Sequence, residues 1–260
     1  MSDDAPTRIA VVGASAGLGR CIGVGLGQRG AQVALLARRH DRLVDAAEEA
    51  GNGAVAVVCD VTDNDSCTRA IKEAVEALGG LDALVYTTGV GVLAHLSEVT
   101  ADQWANLFAT NVTGAALVTA AAVPHLSASG GSALYLSSLS ASFTTPWPML
   151  GSYAVSKAAL DKLVEAWRVE HPDIGFTRLA VGDSLGGRGD SQTEFNKSWE
   201  PGALTAAIDF WMAHGYMQGG LVNVDHLVDA VDAVIHCGKS SFIPELVLAP
   251  RPSGLVKEIR

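Results

Sequence analysis

The stretch Arg8-Ile9-Ala10-Val11-Val12-Gly13-Ala14-Ser15-Ala16-Gly17-Leu18-Gly19-Arg20 constrains the fold more than any other part of the chain. Ile9 to Val12 are apolar and three of the four are β-branched; they run into a turn with glycines at 13, 17 and 19, and an apolar helical pattern follows directly. This reads as a strand, a phosphate loop and a helix. Gly13 lets the chain leave the strand in a conformation that a Cβ would forbid, while Gly17 and Gly19 allow backbone and helix to come close to a pyrophosphate. The helix then aims its free N–H groups and positive dipole end at that anion, with Ser15, Ala16 and Leu18 completing the loop. A dinucleotide fits here. The spacing G-x-x-x-G-x-G is weak taken alone, because a chain with 28 glycines can form such a turn for other reasons.

Context strengthens it. A second hydrophobic run, Ala31 to Ala37, arrives where a βαβ unit places its next strand, and it ends in Arg38-Arg39. Further buried strands are expected at 54–59, 81–86, 133–136, 176–181 and 242–248. Helices are expected at 41–50, 64–78, 100–125, 152–169, around 204–211 and at 225–235, with Gly182 to Gln192 as the one long irregular segment. Continuously apolar strands separated by helices indicate one doubly wound, seven-stranded parallel sheet covered on both faces, a single α/β domain over residues 1–260. Ligands of such sheets lie beyond the carboxyl ends of the strands, where Gly13, Arg38, Asp60, Gly89, Ser138 and Gly182 all fall.

The net charge of −10 argues against nucleic acid or an anionic membrane as a general partner. The weakly polar stretch from Val112 to Val123 is too short to span a bilayer and stops at Pro124. Met1 to Pro6 has neither the basic start nor the apolar core of a signal peptide, so the expectation is a cytoplasmic protein. Cys21, Cys59, Cys67 and Cys237 show no metal-type pairing and are expected to be reduced, buried small hydrophobes; no metal site is expected.

Several side chains on the shared rim carry chemistry. An arginine after the second strand suits a 2′-phosphate, because its planar fork of donors matches phosphate oxygens, so Arg38 and Arg39 favour NADP(H) over NAD(H); a solvated helix entry is the bland alternative. Tyr153 and Lys157 lie four apart on one helix face, where the ammonium stabilises a phenolate and makes the tyrosine a proton donor to a carbonyl. Ser138 ends the preceding strand and can hold the substrate oxygen, or can simply cap a turn. Asn111, polar within a mostly apolar helix, marks either a kink whose carbonyl holds a water beside Lys157 or an exposed helix position.

Together, Val12-Gly13-x-x-x-Gly17-x-Gly19, Asp60-Val61, Asn111-Val112, Ser137-Ser138 and Tyr153-x-x-x-Lys157 resemble the short-chain dehydrogenase/reductase family over nearly the whole chain. The resemblance implies a Rossmann-type fold with Tyr153 as general acid/base. It makes Lys157 the residue that binds the nicotinamide ribose and lowers the tyrosine pKa, Ser138 the carbonyl-positioning hydroxyl, and Asn111 the keeper of a relay water. Ser140 is a second candidate for the serine. Asp60, with Val61, is assigned to the adenine; Thr87, Gly89, Gly182 and Asp183 line the nicotinamide side. Three departures stand out: Val12 where the family usually has Thr, Thr87-Thr88-Gly89 for Asn-Ala-Gly, and Gly182-Asp183 for Pro-Gly.

The expected pocket lies between the 143–150 loop, the segment after Gly89 and a lid over about 184–218. Trp147, Met149, Trp199, Phe210, Trp211 and Met217 are concentrated there and suit a bulky apolar carbonyl or secondary alcohol, or else pack the lid and a subunit interface. The leading function is an NADP(H)-dependent oxidoreductase for such a substrate, with a non-catalytic NADP(H)-binding regulatory protein of the same fold as the rival. The resemblance favours a homotetramer or homodimer built through the helices near 100–125 and 152–169.

Overall fold

Seven strands form one sheet in the order β3-β2-β1-β4-β5-β6-β7, every neighbouring pair parallel, in a computed structural model that describes residues 6–184, 186–187, 193–217 and 220–251. The strands are β1 Arg8–Val12, β2 Gln32–Ala37, β3 Val55–Val58, β4 Ala83–Tyr86, β5 Ser132–Ser138, β6 Gly175–Val181 and β7 Glu245–Leu248. Helices α1 Gly17–Gln28, α2 His40–Ala50 and α3 Asn64–Leu78 make the first crossovers. The chain then returns past β1 to lay down β4 on its other side, and this reversal opens a crevice at the carboxyl ends of β1 and β4.

Alternation along each strand fills both faces. Ile9, Val11, Val33 and Leu35 point to one side with Ile22, Leu26, Leu227 and Val231. Ala10, Val12, Ala34 and Leu36 point to the other with Ile71, Val118, Leu126 and Leu160. Each such fully buried Val, Leu or Ile contributes about 1.5–3 kcal/mol, which is why strands covered on both faces read as unbroken apolar runs.

The expected helix over 100–125 is three elements: α4 Ala101–Phe108, a π-turn Ala109–Thr113 and α5 Gly114–Ser129. The Thr100–Gln103 capping box starts α4. At the π-turn the Tyr86 hydroxyl donates to Thr110 O at 2.6 Å, satisfying a carbonyl displaced from the α pattern. Pro124 does not stop the helix, which runs on to a left-handed Gly130 cap, φ +61°. The joined run Ala101–Ser129 is long and apolar enough to cross a membrane by length and composition; here Ala115, Val118, Ala122 and Leu126 are buried in the core.

The remaining helices are α6 Leu139–Ser142, α7 Gly151–Glu170, α8 Pro201–Ala213 and α9 Val224–Ile235. The short α6 lies between β5 and the expected 143–150 loop. The last strand is shorter than the expected 242–248: Pro244 has no N–H for the ladder, pairing begins at Glu245, and Phe242 is exposed beside Arg168. Cys21, Cys59 and Cys67 are free and buried, whereas Cys237, expected to be buried, lies exposed just beyond α9. No group of three or more His, Cys, Asp or Glu suited to a metal occurs among the described residues.

Candidate active site

The glycine loop leaves β1 with Gly13 at φ +91° and enters α1 with Gly17 at φ +59°, conformations that a side chain rarely adopts. Gly13 is also a close approach, since a Cβ there would lie 2.7 Å from Thr87 Oγ1 and 2.8 Å from Thr88 Oγ1. Ala16 occupies the N-cap of α1 and offers no side-chain acceptor. By contrast α3, α4, α8 and α9 are capped by Asp63, Thr100, Glu200 and Asn223. The first N–H groups of α1 thus lack the cap that those four helices have and open onto the glycine loop, which suits a phosphate. Ser15 is buried and Leu18 partly buried beside them.

The two arginines after β2 part company. Arg38 is exposed, and its charge helps hold the Asp60 carboxyl below its ordinary value, alongside hydrogen bonds that Asp60 Oδ1 accepts from Thr62 N at 3.0 Å and Oγ1 at 2.8 Å. Arg39 folds back over the loop and donates to Ser15 Oγ from Nη2 at 2.9 Å. It also meets Glu194 Oε1 at 2.5 Å, and Arg42, one turn into α2, reaches the same oxygen at 3.1 Å. Val61 is buried against Gly114.

Ser138, Tyr153, Lys157 and Asn111 converge beneath the crevice. Burial pushes the Tyr153 phenol up to about 12, while a hydrogen bond with Ser138 pulls the other way. Burial also brings the Lys157 ammonium down to about 8, opposed by the Asp161 carboxylate. Lys157 Nζ donates to Leu136 O at 2.7 Å and lies 5.9 Å from the Tyr153 ring centre. Ser138 caps α6, the simpler of its two expected uses, and also contacts the phenol; Ser140 Oγ is 2.9 Å from Ser138 Oγ. Asn111 is fully buried in the π-turn. Its Oδ1 accepts from Val90 N at 2.8 Å, and its Nδ2 donates to Val90 O at 3.0 Å and Ser156 Oγ at 2.9 Å. Gly89 packs between Lys157 and Asn111.

The departures from the family pattern have local partners. The Thr87 hydroxyl donates to Val12 O at 2.6 Å and so ties β4 to β1 where the glycine loop begins. Gly182 N donates to Leu248 O at 2.9 Å, and Asp183 O accepts from Val222 N at 2.7 Å. Burial raises the Asp183 carboxyl to about 6.

Of the expected pocket residues, Trp147 and Trp211 pack together at 5.0 Å and Trp211 Nε1 donates to Pro148 O. Trp199 Nε1 donates to Gly91 O at 3.0 Å. Met149 follows Pro148 with φ +68°, and its carbonyl accepts from Ala94 N at 3.0 Å. Met217 N donates to Trp211 O. Phe210 is exposed and stacks on His214 instead. Residues 185, 188–192 and 218 of the expected lid lie outside the described residues. Phe195, Glu194, Arg42 and Asp161 carry no motif. Phe195 packs edge-on against Tyr153, ring centres 4.9 Å apart. Helical spacing could have signalled two of them: Arg42, three residues after Arg39, and Asp161, four after Lys157.

The model of the short chain dehydrogenase family matches residues 7–182. An Arabidopsis thaliana protein named 11-beta-hydroxysteroid dehydrogenase-like 3 is 36% identical over 180 residues, which are 67% of this chain and 58% of that protein. This chain thus spans little more than half the length of that relative. Versicolorin reductase stcU of Emericella nidulans is 30% identical over 223 residues, 84% of this chain and 77% of the fungal protein. Among solved structures, an alcohol dehydrogenase from the archaeon Thermococcus sibiricus, complexed with 5-hydroxy-NADP, superposes with a TM-score of 0.78 at 25% identity, covering 94% of this chain and 96% of that one.

Proposed function

The chain belongs to the short chain dehydrogenase family, and from that membership we propose that it is an NADP(H)-dependent oxidoreductase acting on a carbonyl or secondary alcohol. The observation that carries the reading is the Ser138–Tyr153–Lys157 set, with serine and tyrosine half-buried and the lysine buried, placed at the same strand ends as a helix N-terminus without a side-chain cap. A nicotinamide dinucleotide held along that crevice supplies or accepts the hydride. Gly13 to Gly19 hold its pyrophosphate, Ser15, Arg39 and Arg42 its 2′-phosphate, and Asp60 and Val61 its adenine.

In the reducing direction Ser138 donates a hydrogen bond to the substrate carbonyl oxygen, and Tyr153 gives that oxygen its proton. Burial keeps the phenol protonated and raises its pKa to about 12, against the lowering expected from Lys157, so it is the Ser138 hydrogen bond that eases release of the proton. Lys157, near 8, is mostly ammonium at neutral pH, and its positive charge favours the phenolate left behind. Asn111 fixes the Val90 backbone and Ser156, and Ser156 in turn donates to Tyr153 O at 2.7 Å, so Asn111 positions the start of α7.

Trp147, Trp211, Trp199 and Phe195 support a bulky apolar substrate, since aromatic walls give most of their binding to apolar surface. Exposed Val155 and Val169 on α7 support a homodimer or homotetramer through that helix. Fluorescence titration with NADPH and NADH tests the cofactor, followed by turnover of hydrophobic ketones against small polar carbonyls. Tight NADPH binding with preference for the hydrophobic ketones is expected; NADPH binding without turnover of any ketone favours the regulatory reading, and binding of neither dinucleotide overturns both.

A further inference from the structure

Glu194 stands on the two arginines that a 2′-phosphate would need. Its Oε1 is 2.5 Å from Arg39 Nη1 and 3.1 Å from Arg42 Nη1, and its Oε2 is 2.9 Å from Lys197 Nζ. Lys197 and then Arg39 hold this carboxyl down at about 2, so it is an anion throughout the neutral range. Ser15 Oγ accepts from Arg39 Nε and Nη2, which sets the plane of the guanidinium against the glycine loop.

The carboxylate is held from the other side as well. Phe195, next in the chain, packs against Tyr153 at 4.9 Å and Trp199 at 5.2 Å, and Trp199 is bonded to Gly91 O. Glu194 is therefore placed by the fold rather than swinging freely on the surface.

A single carboxylate oxygen, Oε1, takes an Nη1 from each arginine, and an oxygen of a phosphate monoester would seek the same two N–H groups, which cannot serve both anions at once. We propose that Glu194 is a determinant of cofactor specificity: it competes with the 2′-phosphate of NADP(H) for Arg39 and Arg42 and so lowers the preference for the phosphorylated dinucleotide. The inference rests on the NADP(H) reading above. A dinucleotide without the phosphate leaves the Glu194 pairs in place, whereas one with it must break them. Arg42 becomes the second cation of the phosphate site, and Glu194 narrows the gap between the two cofactors that Arg39 and Arg42 open.

Calorimetric titration of the full chain with adenosine 2′,5′-bisphosphate and with 5′-AMP tests this without any hydride transfer, on wild type, Glu194→Gln and Arg39→Ala. Removing the charge at 194 is expected to tighten the bisphosphate about tenfold, the scale of one charge-assisted pair, and to leave AMP unchanged. Equal tightening of both ligands, or of neither, overturns the competition while Arg39→Ala still weakens the bisphosphate relative to AMP. Should Arg39→Ala leave that ratio unmoved, the 2′-phosphate assignment falls, and the competition with it. Glu194→Ala, which leaves no amide to take the carboxylate's place on the arginines, must move the ratio in the same direction as Glu194→Gln.

Discussion

The two ends of the crevice are held by different physics. At the catalytic end Lys157 and Asn111 are buried and fixed by main-chain groups, Leu136 O and both polar atoms of Val90. At the adenosine end Arg39, Arg42 and Glu194 keep about a third to a half of their side chains in water and hold one another by charge. A buried polar group has no alternative partner, so its geometry is rigid and its loss severe. Exposed charges exchange partners cheaply, and their strength is set by competition and by salt. The end to which we assign the chemistry is thus locked, and the end to which we assign cofactor selection is adjustable.

The sharpest way to break this contrast is Tyr153→Phe. It removes the proposed proton donor together with its hydrogen bond to Ser138, and a fall in kcat of about 10²–10⁴-fold is expected, the usual contribution of a positioned acid. Titration with NADPH should be nearly unchanged; a parallel loss of binding would show that the two ends are not independent. Next in size, Arg39→Ala should weaken NADPH about 10–100-fold, the loss of one charge-assisted hydrogen-bonding partner, and barely affect NADH. Raising salt from about 0.05 to 0.5 M should weaken NADPH a few-fold more than NADH, because screening at that strength reaches well inside 10 Å, while kcat at saturating cofactor stays constant.

A separate expected effect concerns stability. Lys157 has a folded pKa near 8 against an ordinary 10.5, so between those values the unfolded chain holds the extra proton and stability contributed by this group rises with pH. Lys157→Met should lack that rise, which thermal unfolding of both proteins across the same window would detect. If the two melting curves shift in parallel, the ammonium is not desolvated as described.

What could be read from the chain alone follows the same division. Seven apolar runs, the glycine loop and the Tyr153–Lys157 pair are local patterns, and a sheet covered on both faces leaves them little freedom of arrangement. Arg38 and Arg39, by contrast, are indistinguishable as adjacent residues; the strand's pleat and the entry to α2 send one toward Asp60 and the other back to Ser15. Glu194 and Phe195 sit in a segment with no periodicity, and their contacts span more than forty residues to Tyr153 and over a hundred and fifty to Arg39. Asn111 was legible as an anomaly within a helix, but its partners were not, because Val90 and Ser156 approach from separate parts of the chain.

The π-turn that houses Asn111 separates two jobs that one regular helix would have to share. One extra residue widens the winding locally, so the helix on either side keeps its phase: Ala115, Val118, Ala122 and Leu126 stay on the core while Thr110 O and the Asn111 side chain are turned to Tyr86, Val90 and Ser156. Deleting one residue within Ala109–Thr113 would restore ordinary winding and leave the core face of α5 in place, yet take Asn111 from its partners; the fold would survive that edit and the site would not.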